Sequence, residues 1–104
     1  MSFDMEQTLE DMLAAAKGVF AEEWSQVRDD MERVLEDEKM ALIDIAEARF
    51  RGEINDEELQ EQLSDEKEAF QAGFSMVQAS TKATIQHAID AASDVFWNAV
   101  RAAI

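Results

Sequence analysis

The chain has 104 residues, of which 24 are acidic and 9 are basic, and its formal net charge at pH 7 is −15. The absence of cysteine excludes disulfides, thiol catalysis and cysteine-ligated metals, and a single histidine excludes histidine-rich metal motifs. The pI near 4.1 opposes binding to nucleic acid and to anionic membranes, since both attract basic surfaces. A hydrophobic fraction of 47 % suffices for one folded domain, which we predict to span residues 1–104.

Targeting features are weak in this sequence. No apolar run approaches the roughly 20 residues that a membrane helix needs. The first residues also lack the basic and then apolar order of a cleavable signal peptide. We therefore predict a cytoplasmic protein without a membrane partner, and leave open secretion by a route that uses no such signal.

The charge is concentrated in the first two thirds of the chain. Residues 1–68 hold 22 acidic and 7 basic residues, whereas residues 69–104 hold two of each. That second part contains 21 apolar residues and is rich in alanine. It is therefore predicted to be more enclosed than the first part.

A long helix over residues 4–51 is the first predicted element. Asp4 can cap its N-terminus, and apolar residues then recur about every 3.6 positions, the spacing of a nearly straight α-helix. Arg49 and Arg51 complement the negative end of this helix. At the α-helical rise such a helix would be roughly 70 Å long.

The only strong break follows at residues 52–55. Gly52 can adopt the left-handed conformation that closes a helix. Asn55 is a good N-cap, and Glu58 lies three residues later, which completes a capping-box pattern. The pattern predicts a tight corner between the first helix and a second helix over residues 56–103, with a weak point near Ser80.

The second predicted helix is apolar around most of its circumference. A helix of this kind is buried on more than one side, which a two-helix hairpin cannot provide. We therefore predict an all-α protein in which long antiparallel hairpins associate into a four-helix bundle, as a homodimer or a larger helical assembly. The residues expected at the interface between copies are Phe74, Val77, Ile85, Ile89, Phe96, Trp97, Val100 and Ile104.

Two glutamates, Glu38 and Glu66, interrupt the apolar stripes. Folding the chain at residues 52–55 places them in the same or adjacent layers, where like charges must share a proton, bind a cation or reach water. An all-oxygen metal site would suit Ca²⁺, Mg²⁺ or Mn²⁺. The favoured interpretation is that both side chains reach solvent and pair with Lys39 or Lys67, because ionised groups rarely stay fully buried.

No catalytic constellation is recognisable. His87 has carboxylates within reach on the first helix, but no nucleophile, oxyanion donors or pocket-forming loop accompany it. We therefore predict a protein without enzymatic activity, a homo-oligomeric assembly or adaptor protein whose interface is the alanine-rich second helix. The alternatives are a cation-binding bundle centred on Glu38 and Glu66, and a helical partner or chaperone of another protein.

Overall fold

A computed structural model describes residues 3–73 and 82–104, and in these ranges it confirms the all-α class. Its helices are α1 (Met5–Phe20), α2 (Trp24–Asp37), α3 (Lys39–Phe50), α4 (Asp56–Gly73) and α5 (Lys82–Ala102). A short 3₁₀ turn, Ala21–Glu23, joins α1 to α2. No strand occurs in the described ranges. The predicted weak point near Ser80, and the predicted interface residues Phe74 and Val77, lie outside them.

The prediction of one continuous helix over residues 4–51 is wrong. Helix α1 ends at Phe20, and Ala21 takes φ 51° and ψ −112°, which reverses the chain. The apolar spacing in the sequence continues through this break. Phe20 and Trp24, on either side of it, pack together with ring centroids 6.3 Å apart. Glu22 and Glu23 complement the positive N-terminal end of the helix that follows. No sign of the interruption appears in the apolar periodicity of the sequence.

The corner at residues 52–55 is confirmed. Gly52 has φ 75°, the left-handed conformation that closes a helix. The Asn55 side-chain oxygen accepts a hydrogen bond from the Glu58 amide at 2.8 Å, and the Glu58 carboxylate accepts one from the Asn55 amide at 3.1 Å. This reciprocal capping box starts α4 at Asp56.

The reversal at Ala21 lays α1 along α5, and this is the most extensive helix pairing in the described part of the chain. The start of α1 meets the end of α5, where the Phe3 and Phe96 rings lie edge to face at 6.2 Å. Helix α4 packs on α3 and α5, and α1 also contacts α2. The helices thus surround one core, whose largest fully enclosed side chains include Phe70, Phe96, Met12 and Met31.

The resulting dimensions, 40 × 23 × 19 Å, are much shorter than the rod of roughly 70 Å implied by two uninterrupted helices. The reversal at Ala21 costs on the order of 1–3 kcal/mol of backbone strain. Burying apolar side chains of α1 such as Leu9, Met12 and Phe20 returns more, at roughly 1.5–3 kcal/mol for each large one. The free energy gained by burying these apolar side chains against other helices therefore exceeds the cost of interrupting the helix at Ala21.

Ala21→Gly is expected to stabilise the protein by about 1 kcal/mol, because glycine adopts positive φ without the steric cost of a Cβ. Ala14→Gly, at an exposed position inside α1, is the matched control and should destabilise by about 1 kcal/mol. Thermal unfolding followed by circular dichroism measures both. If the two substitutions lower the stability of the protein equally, residue 21 lies inside a continuous helix and the chain does not reverse there.

Candidate functional site

The carboxyl groups of Glu38 and Glu66 lie close enough to influence each other's charge, and both side chains are half-buried. Glu38 occupies the single-residue junction between α2 and α3, at φ −96° and ψ 2°, and Glu66 projects from α4. Helix α4 reaches this junction because the capped corner folds it back along α3. One carboxylate oxygen of Glu66, Oε2, is enclosed and has no hydrogen-bond partner among the described residues.

This environment raises the pKa of Glu66 to about 7. Burial of the carboxyl group is the main cause, followed by its hydrogen bond to Glu38, the negative charge of Glu38 and that of Asp65. Glu66 therefore titrates near neutral pH instead of in the acid range of an ordinary carboxyl group. A proton shared between the two glutamates stays a prediction.

The predicted pairing of these glutamates with Lys39 or Lys67 is wrong. Lys39 reaches across to Glu6 on α1, and Lys67 Nζ lies 3.4 Å from an oxygen of Asp90 on α5. Both lysines are drawn to neighbouring helices that the predicted hairpin did not place there. The glutamate pair is consequently left without a cationic partner among the described side chains.

As a metal site, the pair supplies two carboxylates. No group of three or more histidine, aspartate or glutamate side chains that could hold an ion occurs in residues 3–73 and 82–104. Ca²⁺ takes six to eight oxygen ligands, and Mg²⁺ commonly keeps several waters with one or two carboxylates. Of the predicted ions, Mg²⁺ therefore fits Glu38 and Glu66 best, with water completing its coordination.

Four of the predicted interface residues belong to the core of the single chain. Ile85, Ile89, Phe96 and Val100 are all buried, and the latter three are fully enclosed. Within the chain these side chains are covered by α1 and by α4, which folds back along α5 and was not placed there by the predicted hairpin, so little of their surface is left for a contact between copies. The polar side chains Gln86, Asp94, Asn98 and Arg101 of α5 remain exposed, and so does His87.

The other two described interface residues keep exposed surface. Trp97 is half-buried, and the Arg101 guanidinium stacks 5.8 Å from its ring centroid. Ile104 is 60 % exposed. It borders a groove of about 570 Å³ at the end of the molecule where α1 begins and α5 ends.

Apolar side chains of this groove form a surface, here called the end patch. Phe3 and Phe50 meet edge to face there with centroids 5.4 Å apart. Phe50 is 39 % exposed. Met40, at the start of α3 and outside the groove, is 66 % exposed. The end patch consists of Phe3, Ile43, Phe50 and Ile104. Large apolar side chains gathered at one end, unlike single scattered ones, indicate an interaction surface.

Sequence periodicity missed the end patch because its members belong to three separate segments. Ile43 and Phe50 lie off the stripe of α3, which instead carries the buried Leu42 and Ile45. The spacing of seven residues between them was the available signal, since residues seven apart share a helix face.

The charged side chains beside the end patch form ion pairs with one another. Arg49 pairs with Asp56 at 2.9 Å, and Arg101 pairs with the second oxygen of the same carboxylate. Arg51 pairs with Glu53 at 2.9 Å and with Glu47 at 3.3 Å. Three of the five arginines in the sequence are thus gathered at this end, although the chain as a whole is strongly acidic.

Comparisons with known proteins place the chain in no family: no family model, curated protein or solved structure matches it. Among the described helices, none has both the length and the apolar character to cross a membrane.

Proposed function

We propose that the protein is a non-catalytic helical assembly protein that binds a second copy of itself through the end patch. The observation that carries the proposal is the exposure of Phe50 and Ile104 at one end of the molecule, whereas in residues 3–73 and 82–104 the other large apolar side chains, except Met40, are at least partly covered. Burying this surface against a second apolar surface is favourable by roughly 25 cal/mol per Å². The proposed interface thus differs from the alanine-rich second helix, whose apolar face α1 already covers.

The distribution of charge favours a second copy over a basic partner at this surface. Two molecules of net charge −15 repel one another, and this repulsion is smallest where the acids are already paired. Arg49, Arg51 and Arg101 provide that pairing beside the end patch. A twofold contact would place apolar side chains on apolar side chains, with paired charges around the rim.

The make-up of the groove supports binding rather than catalysis. Apart from Glu47 and Arg49, its lining is apolar, and both of those side chains are held in ion pairs. An active site would instead require a nucleophile or base beside a group that stabilises developing charge. The proposal therefore assigns no catalytic residue and no cofactor to this end of the molecule.

Sedimentation equilibrium at micromolar concentrations is expected to show a dimer for the wild type and a monomer for Ile104→Glu. A charge placed in the contact would have to be desolvated against apolar groups. Ala14→Glu is the control, because Ala14 is exposed on α1 away from the end patch and the substitution adds the same charge. Phe50→Glu should reproduce the effect from α3. A monomeric wild type, or equal weakening by Ala14→Glu, would contradict the proposal.

Binding of a divalent cation by Glu38 and Glu66 is the second candidate function. The enclosed Glu66 Oε2, which has no donor among the described side chains, favours it, because an ion would satisfy that oxygen. Mg²⁺, Ca²⁺ and Mn²⁺ are the ions that such oxygen ligands select. A cation would compete with the proton on Glu66, so its effect is sought above pH 8, where the Glu66 carboxyl is ionised.

A further inference from the structure

A second groove, of about 560 Å³, runs between α1 and α2. We call it the acidic groove. Its floor is formed by Leu9, Leu13 and Leu35, of which Leu13 is partly exposed. The reversal at Ala21 creates this groove, because it brings two acidic helices of the chain side by side.

The walls of the acidic groove carry an excess of negative charge. Glu10, Asp29 and Glu36 line it with exposed side chains. The nearby cations are already engaged: Arg33 donates to Asp30 at 2.9 Å, and Lys39 pairs with Glu6. Leu13, the floor leucine that keeps exposed surface, thus lies between rows of acids, and an apolar side chain flanked by lysines or arginines would complement this arrangement.

From this arrangement we infer that the acidic groove binds a basic amphipathic helix of another protein. The partner's apolar stripe would lie on the leucine floor, and its lysines or arginines would face Glu10, Asp29 and Glu36. Helical walls present side chains rather than unpaired backbone groups, so an added β-strand has no edge to pair with. Nucleic acid is repelled by the walls.

A second copy of this chain is a poor occupant of the acidic groove. Residues 1–68 of such a copy would bring 22 acids and only 7 bases, so acidic helices would face acidic walls. The acidic groove is also a different surface from the end patch, and the two share none of the residues used to define them. The inference therefore stands independently of the proposed self-association.

Two synthetic 18-residue peptides of leucine and lysine test the inference by calorimetry. One places leucine on a single helical face, and the other has the same composition in an order without an apolar face. The protein used is the Ile104→Glu variant at full length, so that self-association does not contribute. Binding of the first peptide at micromolar concentration and at least tenfold weaker binding of the second are expected. Equal binding of both would overturn the inference, since charge alone would then explain it.

Matched variants locate the binding surface. Glu10→Gln/Asp29→Asn should weaken binding of the amphipathic peptide by about tenfold, whereas Glu57→Gln/Glu61→Gln, with the same charge change on exposed positions of α4, should change it less than twofold. Leu13→Gln should weaken binding similarly without altering net charge. Unfolding curves select variants that retain the wild-type fold. Equal losses from both charge pairs, or no loss from Leu13→Gln, would overturn the inference.

Discussion

Phe96→Ala is expected to lower the free energy of unfolding by about 3–5 kcal/mol, a large part of the total stability of a domain this size. Phe96 is fully enclosed in the core formed by α1, α4 and α5, and its ring meets Phe3. Truncation removes the buried ring and leaves a cavity that the surrounding helices cannot fill. Chemical denaturation of the Ile104→Glu variant, with and without Phe96→Ala, measures the loss.

Trp97→Ala is the neighbouring control. Trp97 is half-buried, so its truncation should cost clearly less than that of Phe96. The comparison also separates a core within one chain from an interface between copies. A core residue affects stability equally at all protein concentrations, whereas an interface residue acts through a concentration-dependent equilibrium. A loss from Phe96→Ala that disappears on dilution would show that copies, rather than α1, cover α5.

Glu66→Gln is expected to stabilise the protein at pH 8 by about 1–2 kcal/mol, which raises the melting temperature by roughly 5 °C. The shift of the Glu66 pKa to about 7 would imply more, but the group is partly exposed and solvent screens it. Glutamine keeps the shape of the side chain, removes the repulsion from Glu38 and can donate the hydrogen bond that the proton otherwise provides.

The pH dependence follows from the same carboxyl group. With a pKa raised from 4.5 to about 7, folded Glu66 holds its proton where unfolded Glu66 has lost it. This contribution to stability is fully present below about pH 4.5 and is lost as the pH rises through about 7. The melting temperature of the wild type should therefore fall between pH 5 and pH 8, and the Glu66→Gln variant should show a smaller fall.

Glu68→Gln is the control for this experiment, because Glu68 is exposed on the same helix and its replacement removes the same charge. General relief of repulsion affects both variants equally, so their difference isolates the carboxyl pair. If the two variants melt alike at every pH, Glu66 is not held beside Glu38 in an enclosed environment.

Adding a divalent ion tests whether Glu38 and Glu66 bind a cation instead of holding a proton. In 5 mM MgCl₂ above pH 8, a bound cation would raise the melting temperature of the wild type more than that of Glu38→Gln/Glu66→Gln, because a ligand that binds only the folded state stabilises it. Equal shifts in both proteins would remove the cation proposal and leave the shared proton.

Local signals in the sequence predicted local structure well. Gly52, Asn55 and Glu58 act within a few residues of one another, and the corner they form is confirmed. Glu38 and Glu66 could be placed opposite each other because this corner sets the register of the two flanking helices. Their contact is observed, although the lysines expected to neutralise them bind elsewhere.

The reversal at Ala21 could not be predicted in the same way. Apolar periodicity reports which side of a helix is buried, but it continues in phase across Phe20 and Trp24. The benefit of the break arises only when α1 lies on α5, more than 60 residues later in the chain. The predicted hairpin did place the start of the chain beside residues 84–103, but it ran residues 56–103 as one helix, so α4 did not cover α5. Phe96 and Val100 were therefore left partly uncovered, and a second copy was invoked to bury them.

The same omission concealed the end patch. Phe3, Phe50 and Ile104 are far apart in sequence and meet only once α1 has turned back. Their exposure is a property of the folded chain, so periodicity along one helix carried no sign of it. Self-association was thus predicted largely from apolar residues that the single chain buries, and of that predicted set only Ile104 belongs to the end patch.

Chemical cross-linking tests the proposed assembly most directly, because the chain has no cysteine of its own. Ile104→Cys places a single thiol in the end patch, and Lys17→Cys places one on an exposed position of α1 away from it. A short bismaleimide is predicted to convert Ile104→Cys into a covalent dimer at micromolar concentration and to leave Lys17→Cys monomeric. Monomeric Ile104→Cys, or equal cross-linking of the two variants, would contradict association through the end patch.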